Sequence, residues 1–314
     1  MSNPIGWCDI TMNPFVGCSK CSPGCDNCYA ERFAARLVRN PKTAQKYRRV
    51  IDANGHWNGK VYGQFANWPS PSAKKGKRIF VGSMCDIFHE NVKVPSLLRM
   101  FAVLSLCPQH TFLFLTKRPE KMRYVFTEYN TDRLHKNRQE VANILSLENP
   151  QPVQWPPSNF WLGVTVCNQQ EANAKVPALL DIPAAKRFVS VEPMLGPVDL
   201  SPWDVCDECG HRRNEFDPYN DLGSPWVGDI CYNHYCDRSC EGTFSKHSLD
   251  WVICGGETGP GARSMHPDWA RTLRDQCAAA GVPFYFKGWG GNGKKAAPLL
   301  DGREWHQFPE VSNA

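Results

Sequence analysis

The sequence predicts a parallel α/β fold, a complete or partial parallel (β/α) barrel. Short apolar runs recur along its 314 residues, each ends in small or polar residues, and helix-like segments follow several of them. Near-continuous apolar runs are typical of parallel strands that are buried on both faces. Repeated alternation of β with α indicates a parallel sheet. An open doubly wound sheet is the alternative.

Six strands and four helices carry this prediction. The strands are expected at residues 78–86, 110–119, 160–168, 186–194, 250–259 and 282–290, with a seventh around 13–17. The helices are expected at residues 94–106, 118–129, 169–180 and 266–281. The last helix has His-Pro-Asp at its start and Gly281 at its end, which are good boundary signals.

A polar, cysteine-rich stretch interrupts the pattern between the fifth and sixth predicted strands. It is too long for an ordinary connection. The chain is therefore divided into one barrel-like domain, residues 1–200 and 250–314, and an insertion, residues 201–249.

The insertion is expected to bind a structural zinc. Cys206 and Cys209 form a C-x2-C pair, which is typical of one half of a zinc site. We expect Cys236 and Cys240 to complete it. Cys231, His211 and His234 are the alternatives for that half, and a second iron–sulfur cluster is the alternative to zinc.

The sequence restricts the cellular location that we expect for the protein. The chain has no apolar run long enough to span a bilayer, and its first residues, MSNPIGWCDITMNP, have neither a basic nor an apolar leader region. A cytoplasmic protein that does not contact a membrane is expected. An odd count of 15 cysteines in a reducing compartment argues against a disulfide framework and favours metal ligation by the clustered ones.

The basic charge is concentrated near the N-terminus. Residues 1–80 contain 13 Lys/Arg and four Asp/Glu, a net charge of +9, which leaves −4 for the remainder. Most of these cations lie at residues 31–49 and 74–78, among aromatic residues. Basic residues mixed with aromatics suit a phosphate backbone and stacked bases. A solvated face beside ordinary core aromatics gives the same pattern.

The carboxyl ends of the predicted strands should form a shared site. Parallel strands deliver their C-terminal residues to one rim, where sites of α/β proteins lie. The polar residues at these ends are Ser83, Asp86, Thr116, Lys117, Thr165, Asn168, Glu192, Glu257 and Lys287.

Four cysteines follow the first predicted strand. Cys18, Cys21, Cys25 and Cys28 have the spacing C-x2-C-x3-C-x2-C. Three thiolates in one loop can bind three irons of a 4Fe–4S cluster and leave the fourth iron open. A zinc ion bound by all four thiols is the alternative. The place of the loop at the expected pocket mouth favours the iron–sulfur cluster.

This cysteine loop, after the first strand of a β/α barrel, resembles that of the radical S-adenosylmethionine (SAM) enzymes. The resemblance implies that SAM chelates the open iron and that its reductive cleavage gives a 5′-deoxyadenosyl radical. The usual motif of those enzymes has an aromatic residue before the third cysteine, where this chain has Asn27. The Gly-Gly-Glu expected after the second strand is found at residues 255–257 instead.

A closer resemblance covers nearly the whole chain. The segments that carry it are GCSKCSPGCDNCYAERFA, DIFHENV, FLTKRPEKM, WLGVTVCNQ, SVEPMLGPVDL, DWVICGGETGPGARSMHPDW and YFKGWG. In this order they are similar to a family of phage and prophage proteins with a three-cysteine motif, regarded as radical-SAM-like. That resemblance implies Cys25, Cys28 and Cys18 as cluster ligands, with Cys21 as the alternative to Cys18.

The same resemblance implies where SAM would bind. The expected SAM-binding residues are Met84, Asp86, Thr165, Asn168, Glu192, Gly255 and Gly256. The candidate catalytic residues are Cys85, as a hydrogen donor to a radical, and Lys117, Glu257 and Lys287.

Three functional hypotheses follow. The first is a radical SAM-type enzyme that modifies or repairs a nucleic acid or nucleotide, with an electron donor for its cluster and a partner protein. The second is a zinc-stabilised nucleic-acid-binding protein without SAM chemistry. The third is a barrel hydrolase whose metals are structural. Cysteine-only ligation argues against hydrolysis at a metal, which usually needs other ligands and an open water site.

Overall fold

Seven strands form one parallel sheet in the computed structural model. It describes residues 5–63, 69, 73–128, 132–144, 155–201, 204–205, 226–227, 230–231, 246–247, 249–292 and 297–310. The strands are β1 (Ile10–Met12), β2 (Arg78–Val81), β3 (Thr111–Thr116), β4 (Phe160–Thr165), β5 (Lys186–Val191), β6 (Trp251–Gly255) and β7 (Phe284–Gly288). Each strand pairs in parallel with the next one in this series.

The strand order decides between the two predicted architectures. A doubly wound sheet reverses its order at a switch point. Here the order follows the chain from β1 to β7 without a reversal. Among the described residues β1 and β7 are not paired with each other, so the sheet is a curled half-barrel rather than a closed one. The predicted partial barrel is confirmed, and the doubly wound alternative is wrong.

The first strand lies earlier than predicted. It was expected around residues 13–17, but β1 ends at Met12. Pro14, which has no backbone N–H, follows immediately and cannot donate to a parallel ladder. The apolar pair Phe15–Val16 forms instead a short antiparallel pair with Tyr62–Gly63. As an edge strand β1 is short and partly exposed, which explains its weak sequence pattern.

Among the described residues, seven α-helices connect or flank the strands. They are α1 (Tyr29–Leu37), α2 (Ala44–Tyr47), α3 (Val94–Ser105), α4 (Pro119–Arg123), α5 (Asp132–Ile144), α6 (Gln169–Leu180) and α7 (Pro267–Ala279). A π-helical turn, Tyr124–Glu128, extends α4 over most of the predicted range 118–129. The other three predicted helices match α3, α6 and α7. His266 caps α7, since its Nδ1 accepts a hydrogen bond of 3.2 Å from the Asp268 amide.

The two faces of the sheet bury different side chains. Residues alternate between faces along each strand. One set, including Phe112, Phe160 and Phe284, packs in the larger core with residues of α3, α6 and α7. The intervening residues point to the concave face, where six aromatic rings gather: Trp7, Phe80, Trp161, Phe188, Trp251 and Tyr285.

These rings close one end of the half-barrel and leave the other open. Trp251 is fully buried, and its ring centre lies 6.2 Å from that of Trp7 in an edge-to-face arrangement. Toward the carboxyl ends of the strands, the inward positions carry smaller or polar residues, among them Thr165, Ser190 and Lys287. The concave face is therefore packed at its base and hollow at its rim, as the barrel prediction requires of a site.

Most of the predicted insertion lies outside the described residues. This includes Cys206, Cys209, Cys236 and Cys240, so their zinc site stays a prediction. Two short antiparallel pairs are described there: Asp204–Val205 with Lys246–His247, and Trp226–Val227 with Ile230–Cys231. In the described part of the chain, every helix is too short or too polar to cross a membrane.

We expect Gly163→Ala to destabilise the half-barrel. A β-carbon at Gly163, in β4, would lie 2.6 Å from the Phe188 ring on the neighbouring strand. Overpacking of this kind costs about 1–3 kcal/mol of unfolding free energy, measurable by urea denaturation. Gly196→Ala is the matched control, since its new β-carbon would have its nearest neighbour at 3.4 Å. Equal effects of the two substitutions would contradict this packing.

Candidate functional site

A cavity of about 360 Å³ opens at the carboxyl ends of the strands. The cysteine loop, residues 17–28, closes one side of it. Fourteen residues predicted for the site line this cavity: Cys18, Cys25, Cys28, Ser83, Met84, Cys85, Asp86, Thr116, Lys117, Thr165, Glu192, Gly256, Glu257 and Lys287. Six strand ends that are far apart in sequence thus meet at one rim.

Three predicted residues that the structure describes do not line the cavity. Cys21 is exposed on the loop. Asn168 caps α6, because its Oδ1 accepts a hydrogen bond of 2.9 Å from the Glu171 amide. Gly255 lies directly behind the charged residues of the rim, since a β-carbon there would be 3.3 Å from Cβ of Lys287.

The cysteine loop is folded by short-range contacts. It begins at Gly17, whose φ of +97° favours glycine and where a β-carbon would lie 2.2 Å from the Lys60 carbonyl oxygen. A 3-10 turn follows at Pro23–Cys25. The Ser22 hydroxyl accepts a hydrogen bond of 3.1 Å from the Gly24 backbone amide. Helix α1 begins directly after Cys28. Cys25 and Cys28 are therefore placed by a turn and a helix start.

Arg263 and Glu257 fasten this loop to the rim. The Arg263 guanidinium donates to the Glu257 carboxylate at 2.6 and 2.9 Å and to the Pro23 carbonyl oxygen at 2.7 Å. The Asn27 side-chain amide donates to Glu257 at 2.9 Å. Burial alone would raise the pKa of Glu257, but these hydrogen bonds lower it to about 2. Asn27, which stands where the radical SAM motif has an aromatic residue, is thus a loop anchor.

A second anchor holds the start of the loop. The Arg118 guanidinium donates to Ser19 at its carbonyl oxygen (3.0 Å) and hydroxyl (2.8 Å), and it lies 3.8 Å from the Cys18 sulfur. The Asp86 carboxylate accepts hydrogen bonds from the Arg118 guanidinium at 3.4 Å, the Thr116 hydroxyl at 2.7 Å and the Lys117 backbone amide at 2.9 Å. Asp86 therefore joins the loops that follow β2 and β3.

The loop thiols have different ionisation. A hydrogen bond from Cys21 is the main cause that lowers the pKa of Cys25, to about 5, and the charge of Lys117 acts in the same direction against burial. Burial and the Asp86 carboxylate raise the pKa of Cys18. Burial would lower the pKa of Lys117, but Cys25 and other thiols nearby raise it. Cys25 is thus a thiolate at neutral pH, beside a retained cation.

An ion pair links two strand ends of the rim. The Lys287 ammonium, at the end of β7, contacts the Glu192 carboxylate just beyond β5. Both side chains are partly exposed and line the cavity. Together with Lys117 they give the cavity groups of both charges.

Three of the loop thiols lie around the cavity without converging on one point. Within the described ranges, no group of three or more His, Cys, Asp or Glu side chains could hold one metal ion. Cys18, Cys25 and Cys28 nevertheless line the same cavity. Separate thiolates that each bind a different iron are the pattern of a 4Fe–4S cluster.

Some cavity residues escaped the sequence prediction. Ser190 lies two positions before Glu192, and this period-2 spacing was the signal that could have identified it. Arg118 directly follows the predicted site residue Lys117, and this adjacency was the signal for it. Trp7 and Tyr29 line the cavity from outside the sheet, and no strand pattern pointed to them.

We expect Glu257→Gln to loosen the cysteine loop. The substitution removes a charged partner of Arg263, so it should lower the unfolding free energy by about 1–3 kcal/mol and speed hydrogen–deuterium exchange in residues 18–28. Because folding lowers the pKa of Glu257 from its ordinary 4.5 to about 2, its contribution is complete above pH 4.5 and is lost as pH falls toward 2. The difference from wild type should shrink over the same range. Exposed Glu140→Gln, in α5, is the control, and equal exchange in both variants would contradict the anchor.

In metal-free protein, Cys25 should react as a thiolate. With a pKa of about 5, its alkylation rate by iodoacetamide should change little between pH 6 and 8, when measured by peptide mass spectrometry. Cys21→Ala should raise the pKa of Cys25 and slow the reaction at pH 6, because the donor is lost. Cys21→Ser keeps a hydroxyl donor and should preserve the rate. A rate that rises about tenfold per pH unit in wild type would show an ordinary thiol.

Comparison with known proteins gives a family and no activity. No curated protein and no solved structure matches the chain significantly. One protein family matches over residues 2–309, which include the cysteine loop and all seven strands of the sheet. The chain therefore belongs to the family described as "Protein of unknown function (DUF5131)".

Proposed function

We propose that this protein is a radical SAM-type enzyme whose 4Fe–4S cluster is bound by Cys18, Cys25 and Cys28. The observation that carries the proposal is that these three thiols line one cavity at the rim of a parallel half-barrel, while Cys21 is exposed. Three thiolate ligands leave one iron of such a cluster open to a further ligand.

The charges around the loop fit an anionic cluster. Thiolate ligands bring negative charge into a partly enclosed site, which is costly unless cations lie nearby. Lys117 lines the cavity beside Cys25, and Arg118 lies 3.8 Å from the Cys18 sulfur. Cys25 is already ionised at neutral pH, so binding there requires little proton release.

The cavity also fits SAM. Its volume, about 360 Å³, is in the range of small-molecule sites. The Trp7 indole N–H is buried and lacks a hydrogen-bond partner in the described part of the chain, and Trp7 lines this cavity. Such a group costs about 1–3 kcal/mol unless a ligand accepts its hydrogen bond. Glu192, Lys287 and Lys117 supply charges that could match the amino, sulfonium and carboxylate groups of SAM.

The residues of this chain would hold and shield the reactants. When bound, the cluster supplies the electron that cleaves SAM and thereby allows hydrogen abstraction from a substrate. Arg263, Glu257 and Arg118 hold the loop still, so that its thiols keep their positions. The aromatic base of the half-barrel excludes water from the far end of the cavity. Cys85 is buried at the cavity wall, and we propose it as the donor of a hydrogen atom.

The two other hypotheses have less support. A zinc site built from all four loop cysteines would need Cys21, which is exposed and outside the cavity lining. A hydrolase that uses a strand-end carboxylate as its general base would need that carboxylate free, whereas Glu257 is bound to Arg263 and Glu192 to Lys287. Neither carboxylate is available as a general base without breaking an ion pair.

Anaerobically purified protein should contain iron and sulfide and should release 5′-deoxyadenosine from SAM when dithionite is added. Cys25→Ala should abolish both the iron and the product, because it removes a cluster ligand. Cys18→Ala should do the same, whereas Cys21→Ala should keep most of the iron. Iron and sulfide assays and chromatography of the product measure these outcomes.

Buried Cys277→Ala, in α7, is the matched control and should retain iron. A protein that holds zinc alone and forms no 5′-deoxyadenosine would refute the proposed function. Loss of iron in Cys21→Ala with retention in Cys18→Ala would keep the chemistry and exchange the third ligand.

A further inference from the structure

A second hollow, which we call the α1 groove, runs along α1 and reaches the cavity. It has a volume of about 1110 Å³ and is lined by residues of α1, of the turn 51–56 and of the loop 259–260. Ile5, Tyr29, Ser83 and Met84 line both the groove and the cavity. A molecule lying in the groove would therefore end at the cavity wall.

Two exposed aromatic rings lie on this groove. Tyr29 is 47% exposed and Phe33 is 43% exposed, and both line it. At a spacing of four residues they share one face of α1, about 6 Å apart along its axis. The Arg36 guanidinium lies 5.5 Å from the centre of the Phe33 ring. Exposed rings beside arginines are the usual stacking platforms for unpaired bases.

Cations outnumber carboxylates in the groove. Arg32, Arg36 and Arg39 line it, together with the two carboxylates Glu31 and Asp52. Glu31 is buried and already pairs with Lys20 at 3.6 Å and His56 at 3.4 Å. The other carboxylate of the groove, Asp52, accepts hydrogen bonds from two backbone amides.

The exposed arginines of the groove remain available. Arg36 and Arg39 are exposed and line the groove, and neither forms an ion pair within the described residues. Cations that are not neutralised by carboxylates favour a polyanion over a typical protein surface, which carries both signs of charge. The charge and the rings therefore point to the same kind of ligand.

We propose that the α1 groove binds single-stranded nucleic acid, with bases stacked on Phe33 and Tyr29 and phosphates at Arg36 and Arg39. The strand would bring one nucleotide to the wall shared with the cavity. A duplex keeps its bases stacked inside, and enzymes that act on a base must first take it out of the stack. Binding of the strand does not depend on the proposed function. Only the further statement, that this strand is the substrate of the enzyme, rests on it.

Binding of labelled 16-nucleotide single strands of DNA and RNA to the anaerobically purified protein, followed by fluorescence anisotropy, tests the groove. Phe33→Ala should weaken binding about 5- to 100-fold, since it removes a stacking platform. Arg36→Gln should make the slope of log affinity against log salt less steep by about 0.7, the value of one phosphate contact on a single strand. Whichever strand binds more tightly identifies the sugar.

Two control variants replace an exposed aromatic residue and an exposed arginine that lie outside the groove. Tyr124 is exposed to the same 43% as Phe33 and lines neither hollow, so Tyr124→Ala should leave binding unchanged. Arg99, an exposed arginine of α3, provides the control for Arg36. Arg99→Gln should leave the slope of log affinity against log salt unchanged.

Three outcomes would overturn the inference: no binding of either strand at 50 mM salt, tighter binding of a duplex, or equal effects of the test and control variants. The cleavage of SAM is measured separately and without oligonucleotide. Cleavage without strand binding would refute the groove and leave the proposed chemistry. Strand binding that Phe33→Ala weakens, without SAM cleavage, would support the groove and refute the chemistry.

Discussion

The hydrogen-bonded ion pair between Arg263 and Glu257 is the interaction on which the site depends. A half-barrel has an open rim, and the cysteine loop lies across it with no buried residue from 18 to 28. Arg263 reaches the Glu257 carboxylate at 2.6 Å and the Pro23 carbonyl oxygen at 2.7 Å, so one side chain ties the loop to the end of β6. Burial strengthens this tie, because a paired charge in a partly enclosed site is poorly screened by water. The thiols can keep one arrangement because the loop beneath them is held.

The incomplete barrel has a consequence for access. A closed barrel would confine the cavity to its mouth, whereas the open sheet leaves room beside α1 for a second hollow that joins the first. The same helix that begins at Cys28 presents Tyr29 and Phe33 to that hollow. The cysteine loop and one wall of the α1 groove are thus built from one continuous segment, and a change in the position of α1 would move both.

Much of the fold was predictable, because the strands are buried on both faces and their apolar runs are conspicuous. Six of the seven strands of the sheet were found, and the exception, β1, is a short edge strand of three residues. Most of the rim followed from those strand ends. Asn168 and Gly255 do not line the cavity, because Asn168 serves as a helix cap and Gly255 lies behind the rim. Hydrophobic period and residue spacing do not distinguish a residue that lines the cavity from a helix cap or from a glycine behind the rim.

The sequence by itself determined that a parallel α/β sheet would bring polar strand ends and a four-cysteine loop to one rim, since hydrophobic period and chain order dictate that much. The tertiary structure decided which of those residues meet. It placed Cys18, Cys25 and Cys28 in the cavity lining and Cys21 outside it, paired Glu257 with Arg263 and Glu192 with Lys287, and left Arg36 beside an exposed ring. These outcomes depend on contacts between residues far apart in the chain, and such contacts are set by packing and charge in three dimensions, on which local sequence patterns carry little information.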